Sequence, residues 1–242
     1  MNVRAVKTHK IVPGDDLLEV IDTYISAVDD RQVLAVTSKV VALCEGAVVA
    51  GSGRSKHEIA IEEADRYLPP TNSKYDVILT VKNHFLIPNS GVDESNVSED
   101  FVLWPRDSSG TARVIREHLQ RRCELTELGV VITDSSVSPL RWGTTGFALG
   151  ASGFRVTNSY IGHPDIHGQA LSVTRAGVAD GLAAAAVVVM GEGAEQTPLA
   201  ILDDIPFVDF VEDDEPDPPL TMEDDLYAPL LRAAPWINGG KQ

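Results

Sequence analysis

The run Gly129-Val130-Val131-Ile132-Thr133 stops abruptly at Asp134-Ser135, and this switch from extended apolar residues to small polar ones most constrains the fold. A β-branched run of that length reads as a strand whose end delivers a carboxylate. Two further stretches behave alike. Gln32 to Thr37 reads as a short buried strand running into Ser38-Lys39, and Val77 to Lys82 leads through Phe85-Leu86-Ile87-Pro88 to a loop carrying Asp93.

Helical patterns lie between these strands. Leu17, Val20, Ile21, Tyr24, Ile25 and Val28 recur at helical spacing behind a Gly14-Asp15 cap. Residues 55–68 open on the capping box Ser55-x-x-Glu58 and stop at Pro69-Pro70, and residues 111–122 carry Ala112, Ile115 and Leu119 on one face. A fourth helix presents Ala179, Leu182, Ala183, Ala186, Val187 and Met190, a small apolar face suited to close packing, with Gly191 as its C-cap. The glycine-rich stretch 143–153 breaks any simple doubly wound pattern, so the expectation is an α+β fold of mixed sheets and packed helices in two lobes.

Charge and cysteine content narrow the function classes. The net charge of −16, from 20 basic against 36 acidic residues, argues against holding a nucleic-acid backbone by general electrostatics. No apolar run is long enough to span a bilayer and the N-terminus lacks a signal-peptide core, so a cytoplasmic protein is expected. Cys44 and Cys123 stand alone and read as buried free thiols. Eleven acidic residues and no Lys or Arg fall between Asp203 and Asp225. That places a domain over residues 1–205 and an acidic surface linker after it, with a docked helix over 221–231.

Asp93 and Asp134 at strand ends, near hydroxyls and an amide, form a hard oxygen donor set suited to Mg²⁺ or Mn²⁺ rather than zinc. Taken by spacing alone, both equally read as turn residues using their Asx hydrogen bonds. Neither a Walker A loop nor a dinucleotide fingerprint is present. Gly51-Ser52-Gly53-Arg54-Ser55-Lys56 reads as a surface turn, and Gly191-Glu192-Gly193-Ala194-Glu195-Gln196 as a helix C-cap and loop. Arg141, Lys82 and Arg175 are the basic residues placed to hold phosphate or carboxylate. His163 and His167 read as loop residues beside an acceptor.

The ordered series Ser38-Lys39-Val40-Val41 before Glu45-Gly46, Gly91-Val92-Asp93-Glu94-Ser95-Asn96, Val131-Ile132-Thr133-Asp134 and Met190-Gly191-Glu192-Gly193 before Pro198 resembles the coenzyme F(420)-0:L-glutamate ligase family. Lys7-Thr8-His9-Lys10, Leu103-Trp104-Pro105 and Leu140-Arg141-Trp142-Gly143-Thr144-Thr145-Gly146 are similar to its bacterial branch, described as folate-metabolism gamma-glutamate ligases. The resemblance implies a gamma-glutamyl ligase type fold and a homodimer. It also implies a GTP-dependent ligase that joins L-glutamate to a carboxylate of a deazaflavin or folate type acceptor through an acyl phosphate.

By the same resemblance, two Mg²⁺ or Mn²⁺ ions are held by Asp93, Asp134, Ser135 and Glu192. Ser38, Lys39, Asn96, Gly191, Glu192 and Gly193 contact the nucleotide. The chain departs from the archaeal pattern, which continues after its metal-binding aspartate with Thr-x-Gly-Arg; here Asp134 is followed by Ser135-Ser136-Val137-Ser138-Pro139. Leu43 replaces a basic residue of some members, and the turn around Ile11-Val12-Pro13 is shorter. These departures bear on the acceptor more than on the reaction type. Two competing readings are a nucleotide- and metal-binding regulatory protein without the ligase step, and a metal-dependent phosphohydrolase.

Overall fold

Strands that read as continuous apolar runs are expected to be covered on both faces, and the computed structural model shows the covers. It describes residues 1–70, 74–94, 100–214 and 217–240. The chain divides into two units, Met1–Gly46 with Pro105–Asp217, and Ala47–Trp104 with Pro218–Gln242. Helices and several sheets are mixed, an α+β architecture, and none of the described helices is long and apolar enough to cross a membrane.

The first unit is built on a five-stranded sheet ordered Asn2–Val6, Leu199–Asp203, Gln32–Thr37, Leu128–Val137, Thr144–Ser152. Only Gln32–Thr37 and Leu128–Val137 run parallel; the other neighbours are antiparallel. Alternate residues go to opposite faces. Leu34, Val36, Val130 and Ile132 pack with Ile21 of helix Leu17–Tyr24 and with Ala112, Ile115 and Leu119 of helix Ser108–Cys123. Val33, Ala35, Val131 and Ala200 pack on the other face with Ala179, Leu182, Ala183 and Ala186 of helix Val178–Met190.

Glycine lets both helices come close to the outer strand. A Cβ on Gly146 would sit 2.6 Å from the Ala183 carbonyl oxygen, and one on Gly150 would sit 2.6 Å from the backbone of Ser108 and Ser109. The stretch 143–153, expected as loop, is therefore mostly the nine-residue strand Thr144–Ser152, its glycines placed by helix packing rather than by turns.

The second unit carries the four-stranded sheet Ile237–Asn238, Arg66–Tyr67, Leu79–Lys82, Phe85–Pro88 and the three-stranded sheet Val48–Val49, Phe101–Val102, Asp93–Glu94. Helix Lys56–Glu63 contributes Ile59 and Ala60 to a core shared with Ile78 and Val92. Its capping box is formed as expected, with Ser55 and Glu58 bonded reciprocally. It ends earlier than residue 68, because Arg66–Tyr67 leaves the helix to pair with Thr80 and Val81.

Other boundaries also moved. Asp16, not Asp15, caps the first helix, its carboxylate accepting from the amides of Leu18 and Glu19. The helix expected over 221–231 is confined to Ala228–Leu231. Of the apolar anchors expected there, Leu226 and Leu230 are 89% and 71% exposed, whereas Leu231 and Trp236 are partly buried, with Trp236 Nε1 donating to the Leu231 carbonyl, and Ile237–Asn238 pairs with Arg66–Tyr67. Nor is the acidic stretch loose along its length. The Asp214 carboxylate accepts from Ser152 Oγ and the Gly153 amide, each at 2.7 Å, and Thr157 Oγ1 donates to Asp217 at 2.6 Å.

Candidate functional site

The parallel pair of strands sets the first unit's polar edge. Thr37 pairs with Thr133, so Ser38, where its strand ends, lies beside Asp134, which was expected at a strand end but stays in the sheet opposite Phe147 because its strand runs on to Val137 in pairing with Thr144–Ser152. Ligand sites of sheets with parallel strands lie outside such carboxyl ends. Helix Ser38–Cys44 starts directly at this edge, with Ser38 buried and Lys39 next to it. The Thr37 amide donates to the Pro198 carbonyl at 3.0 Å and the Thr8 amide to the Gln196 carbonyl at 2.9 Å. These bonds tie the Gly191–Pro198 loop and the Lys7-Thr8-His9-Lys10 motif to the same edge.

Asp134 and Ser135, successive residues of an extended strand, project to opposite faces. Ser135 is in step with Val131, on the side covered by helix Val178–Met190. That helix ends at Gly191, whose φ of 80° turns the chain so that Glu192 reaches back over the strand. Ser135 Oγ donates to Glu192 Oε2 at 3.1 Å, and Thr144 Oγ1 donates to Glu192 Oε1 at 3.0 Å. The Asp134 carboxylate accepts its neighbour's amide, Ser135 N to Oδ1, at 2.8 Å.

In the second unit, Asp93 makes the same local bond, with Glu94 N donating to Oδ1 at 2.8 Å. Its approach is fixed by a buried turn. Asn89 and Ser90 both adopt positive φ, 51° and 55°. Asn89 Oδ1 accepts the Ile78 amide, the Ser90 amide donates to Thr80 Oγ1, and Ser90 Oγ donates to the Ala60 carbonyl. Two non-glycine residues in this region persist only where surrounding bonds overdetermine them. Asn96 lies outside the described residues.

The remaining expected residues take varied positions. Arg141 stands at the exposed tip of the hairpin, beyond the Val137–Thr144 pair, between Leu140 and Trp142. Lys82 is 8% exposed, paired with Glu63 at 2.8 Å and set over the Trp104 ring, so it serves the second unit's interior rather than a substrate. Arg175 lies 3.8 Å from Asp217. His163 and His167 are exposed loop residues, His163 edge-on to Tyr160. The Gly191 amide donates to Val187 O and the Gly193 amide to Glu195, so a ligand reaching Gly193 must displace the Glu195 carboxylate.

Two arrangements escaped the sequence reading. Thr144 was visible only as part of Gly143-Thr144-Thr145-Gly146, and its role depends on hairpin register. The His9 ring spans Tyr24 Oη at 2.9 Å and Asp15 at 3.3 Å. Asp15 is held below the usual carboxylate range, first by the Val12 amide and then by His9. Cys44 is half-buried and its thiol is pushed up to about 11, mainly by burial, so it is protonated and inert near neutrality.

Among the described residues no group of three or more His, Cys, Asp or Glu side chains gathers as a metal cage. The donors that gather on one face, Ser135 and Glu192, are hard oxygens, and the Asp134 carboxylate, on the strand's other face, is a third. Such a sparse set fits an ion that keeps waters and binds phosphate oxygens, as Mg²⁺ does.

The model of the F420-0:Gamma-glutamyl ligase family matches residues 5–204. The chain is similar to the coenzyme F420:L-glutamate ligase of Methanopyrus kandleri, 34% identical over 211 residues that cover 79% of this chain and 82% of the relative. The Archaeoglobus fulgidus enzyme of the same description is 35% identical over 209 residues, covering 79% and 82%. That of Methanosarcina barkeri is 30% identical over 204 residues, covering 78% and 79%.

Proposed function

The chain belongs to the F420-0:gamma-glutamyl ligase family and is a ligase that forms gamma-glutamyl amides; from that premise we propose that it joins L-glutamate to the carboxylate of an F420-type acceptor at the expense of GTP. The observation that carries this reading is the Ser135–Glu192 pair, next to Asp134 in the strand that runs parallel to the one ending at Ser38-Lys39. A carboxylate repels an incoming amine by its own charge. Transfer of the γ-phosphoryl group to the acceptor carboxylate gives an acyl phosphate, which the glutamate amine attacks with release of phosphate.

Divalent Mg²⁺ or Mn²⁺ ions, when bound, neutralise the triphosphate and favour in-line transfer. Because Asp134 and Ser135 face opposite sides of the strand, the Asp134 carboxylate serves one ion and the Ser135–Glu192 pair a second. Asp93 is a further carboxylate assigned to the metals. Ser38, Lys39, Gly191, Glu192, Gly193 and Asn96 are assigned to the nucleotide. Lys39 supplies a cation for phosphate, and Arg141 on its exposed hairpin meets a substrate carboxylate. The chain adopts the gamma-glutamyl ligase type fold and acts as a cytoplasmic homodimer.

The test supplies purified protein with GTP, Mg²⁺ or Mn²⁺, L-glutamate and either a deazaflavin or a folate acceptor, and follows acceptor mass. The deazaflavin is expected to gain glutamyl units. A gain confined to the folate would leave the ligase reading standing and move the acceptor class.

A further inference from the structure

We propose that Thr144 is a positioning residue that fixes Glu192 for the second metal ion; this rests on the metal reading above. Glu192 is solvent-exposed on a loop, so a free glutamate there would sample many rotamers and lose side-chain entropy on ligation. Instead each carboxylate oxygen is already engaged, Oε1 by the Thr144 hydroxyl at 3.0 Å and Oε2 by the Ser135 hydroxyl at 3.1 Å. The two hydroxyls do not share a future. Ser135 Oγ is itself assigned to the ion and turns its lone pairs toward it, whereas Thr144 has no such second duty. Once the ion is bound, Thr144 is the partner that keeps the carboxylate oriented.

The backbone explains why a strand residue can do this. Ser135 pairs with Gly146 and Val137 with Thr144, so Ser135, Gly146 and Thr144 lie on one face as cross-strand and diagonal neighbours. Gly146 carries no side chain at the point where helix Val178–Met190 comes down: its Cβ would meet both the Ala183 carbonyl oxygen and Val187. The end of that helix therefore reaches far enough over the sheet to set Glu192 between the two hydroxyls. Partners that orient a metal ligand without touching the ion typically change metal affinity by about 10–100-fold when removed.

The experiment is Mn²⁺ titration of the purified full chain, read by electron paramagnetic resonance without nucleotide or substrates, with thermal melting as the fold check. Thr144→Val keeps the shape and strand preference of the side chain and removes only the hydroxyl. It is expected to weaken one class of Mn²⁺ site by about tenfold, the low end for such partners because the bond is exposed. Thr144→Ser restores affinity, and Glu192→Gln loses that same class of site. If Thr144→Val binds Mn²⁺ like the unaltered chain while Glu192→Gln does not, the positioning role is wrong and the metal reading survives. If Glu192→Gln also binds normally, Glu192 is no ligand and both fall.

Discussion

Thr37 and Thr133 are paired across the one parallel junction of the first unit's sheet, so Ser38-Lys39, where one strand ends, lie beside Asp134-Ser135 of the longer neighbouring strand although nearly a hundred residues separate them in the chain. Antiparallel pairing would have put these two motifs at opposite ends. The junction thereby brings a candidate phosphate-holding lysine and candidate metal ligands to one place without a dedicated loop for either.

Asp134→Asn and Asp93→Asn each remove a formal charge with almost no change in volume. Each is expected to lower turnover by at least about a hundredfold, the usual cost of losing one oriented group that stabilises developing charge. Folding should change little, because Asn keeps the side-chain oxygen that accepts the next residue's amide at both positions. Steady-state rates with Mg²⁺, beside thermal melting, check this. Full activity of either variant would remove that residue from the metal site.

Gly146→Ala places a methyl group 2.6 Å from the Ala183 carbonyl oxygen, where backbone cannot yield cheaply. Overpacking of this kind costs about 1–3 kcal/mol. Urea unfolding should show the loss, together with weakened metal binding as Glu192 is carried away with the helix. A stable variant with normal metal affinity would mean that helix and strand do not need this approach.

Asp214 gathers Ser152, the Gly153 amide and the buried Arg116 around one carboxylate. Arg116 also donates to the carbonyls of Val211 and Glu212. Asp214→Ala leaves a nearly buried guanidinium short of its countercharge, and about 1–3 kcal/mol of stability should be lost. Chemical denaturation measures it. Unchanged stability would show that the acidic stretch is a loose tail after all.

Asp30 accepts the amides of Glu127 and Thr126, in that order of effect, and is held below its ordinary value of 3.8. A carboxylate lowered in the folded state contributes stability above its unfolded value and loses it as pH falls through the folded value. The unaltered chain should therefore be more stable than Asp30→Asn near neutrality, and the gap should close in strong acid. Melting temperatures across that range decide it; a gap independent of pH would assign the effect to something other than the carboxylate.

Much of the first unit was legible because its physics is local in sequence. Strand 129–133, the apolar face of helix Val178–Met190 and the Ser55–Glu58 capping box each follow from the pattern of a single short window. The strand Thr144–Ser152 was not legible, since Gly146 and Gly150 are required by helices far away in the chain and look like loop residues when read alone. The site divides the same way. Asp134 could be picked out where the apolar run stops, although its strand continues to Val137, but Thr144 became a partner of Glu192 only through hairpin register and the reach of a helix end, neither of which composition encodes.

A ligase of this kind releases phosphate only as glutamate is joined to an acceptor. Phosphate release from GTP by the purified chain, with and without each of Mg²⁺, L-glutamate and a deazaflavin acceptor, tests it most directly. Release is expected with all three present and only background when any one is withheld. Steady metal-dependent release without glutamate and acceptor would contradict it and describe a phosphohydrolase instead.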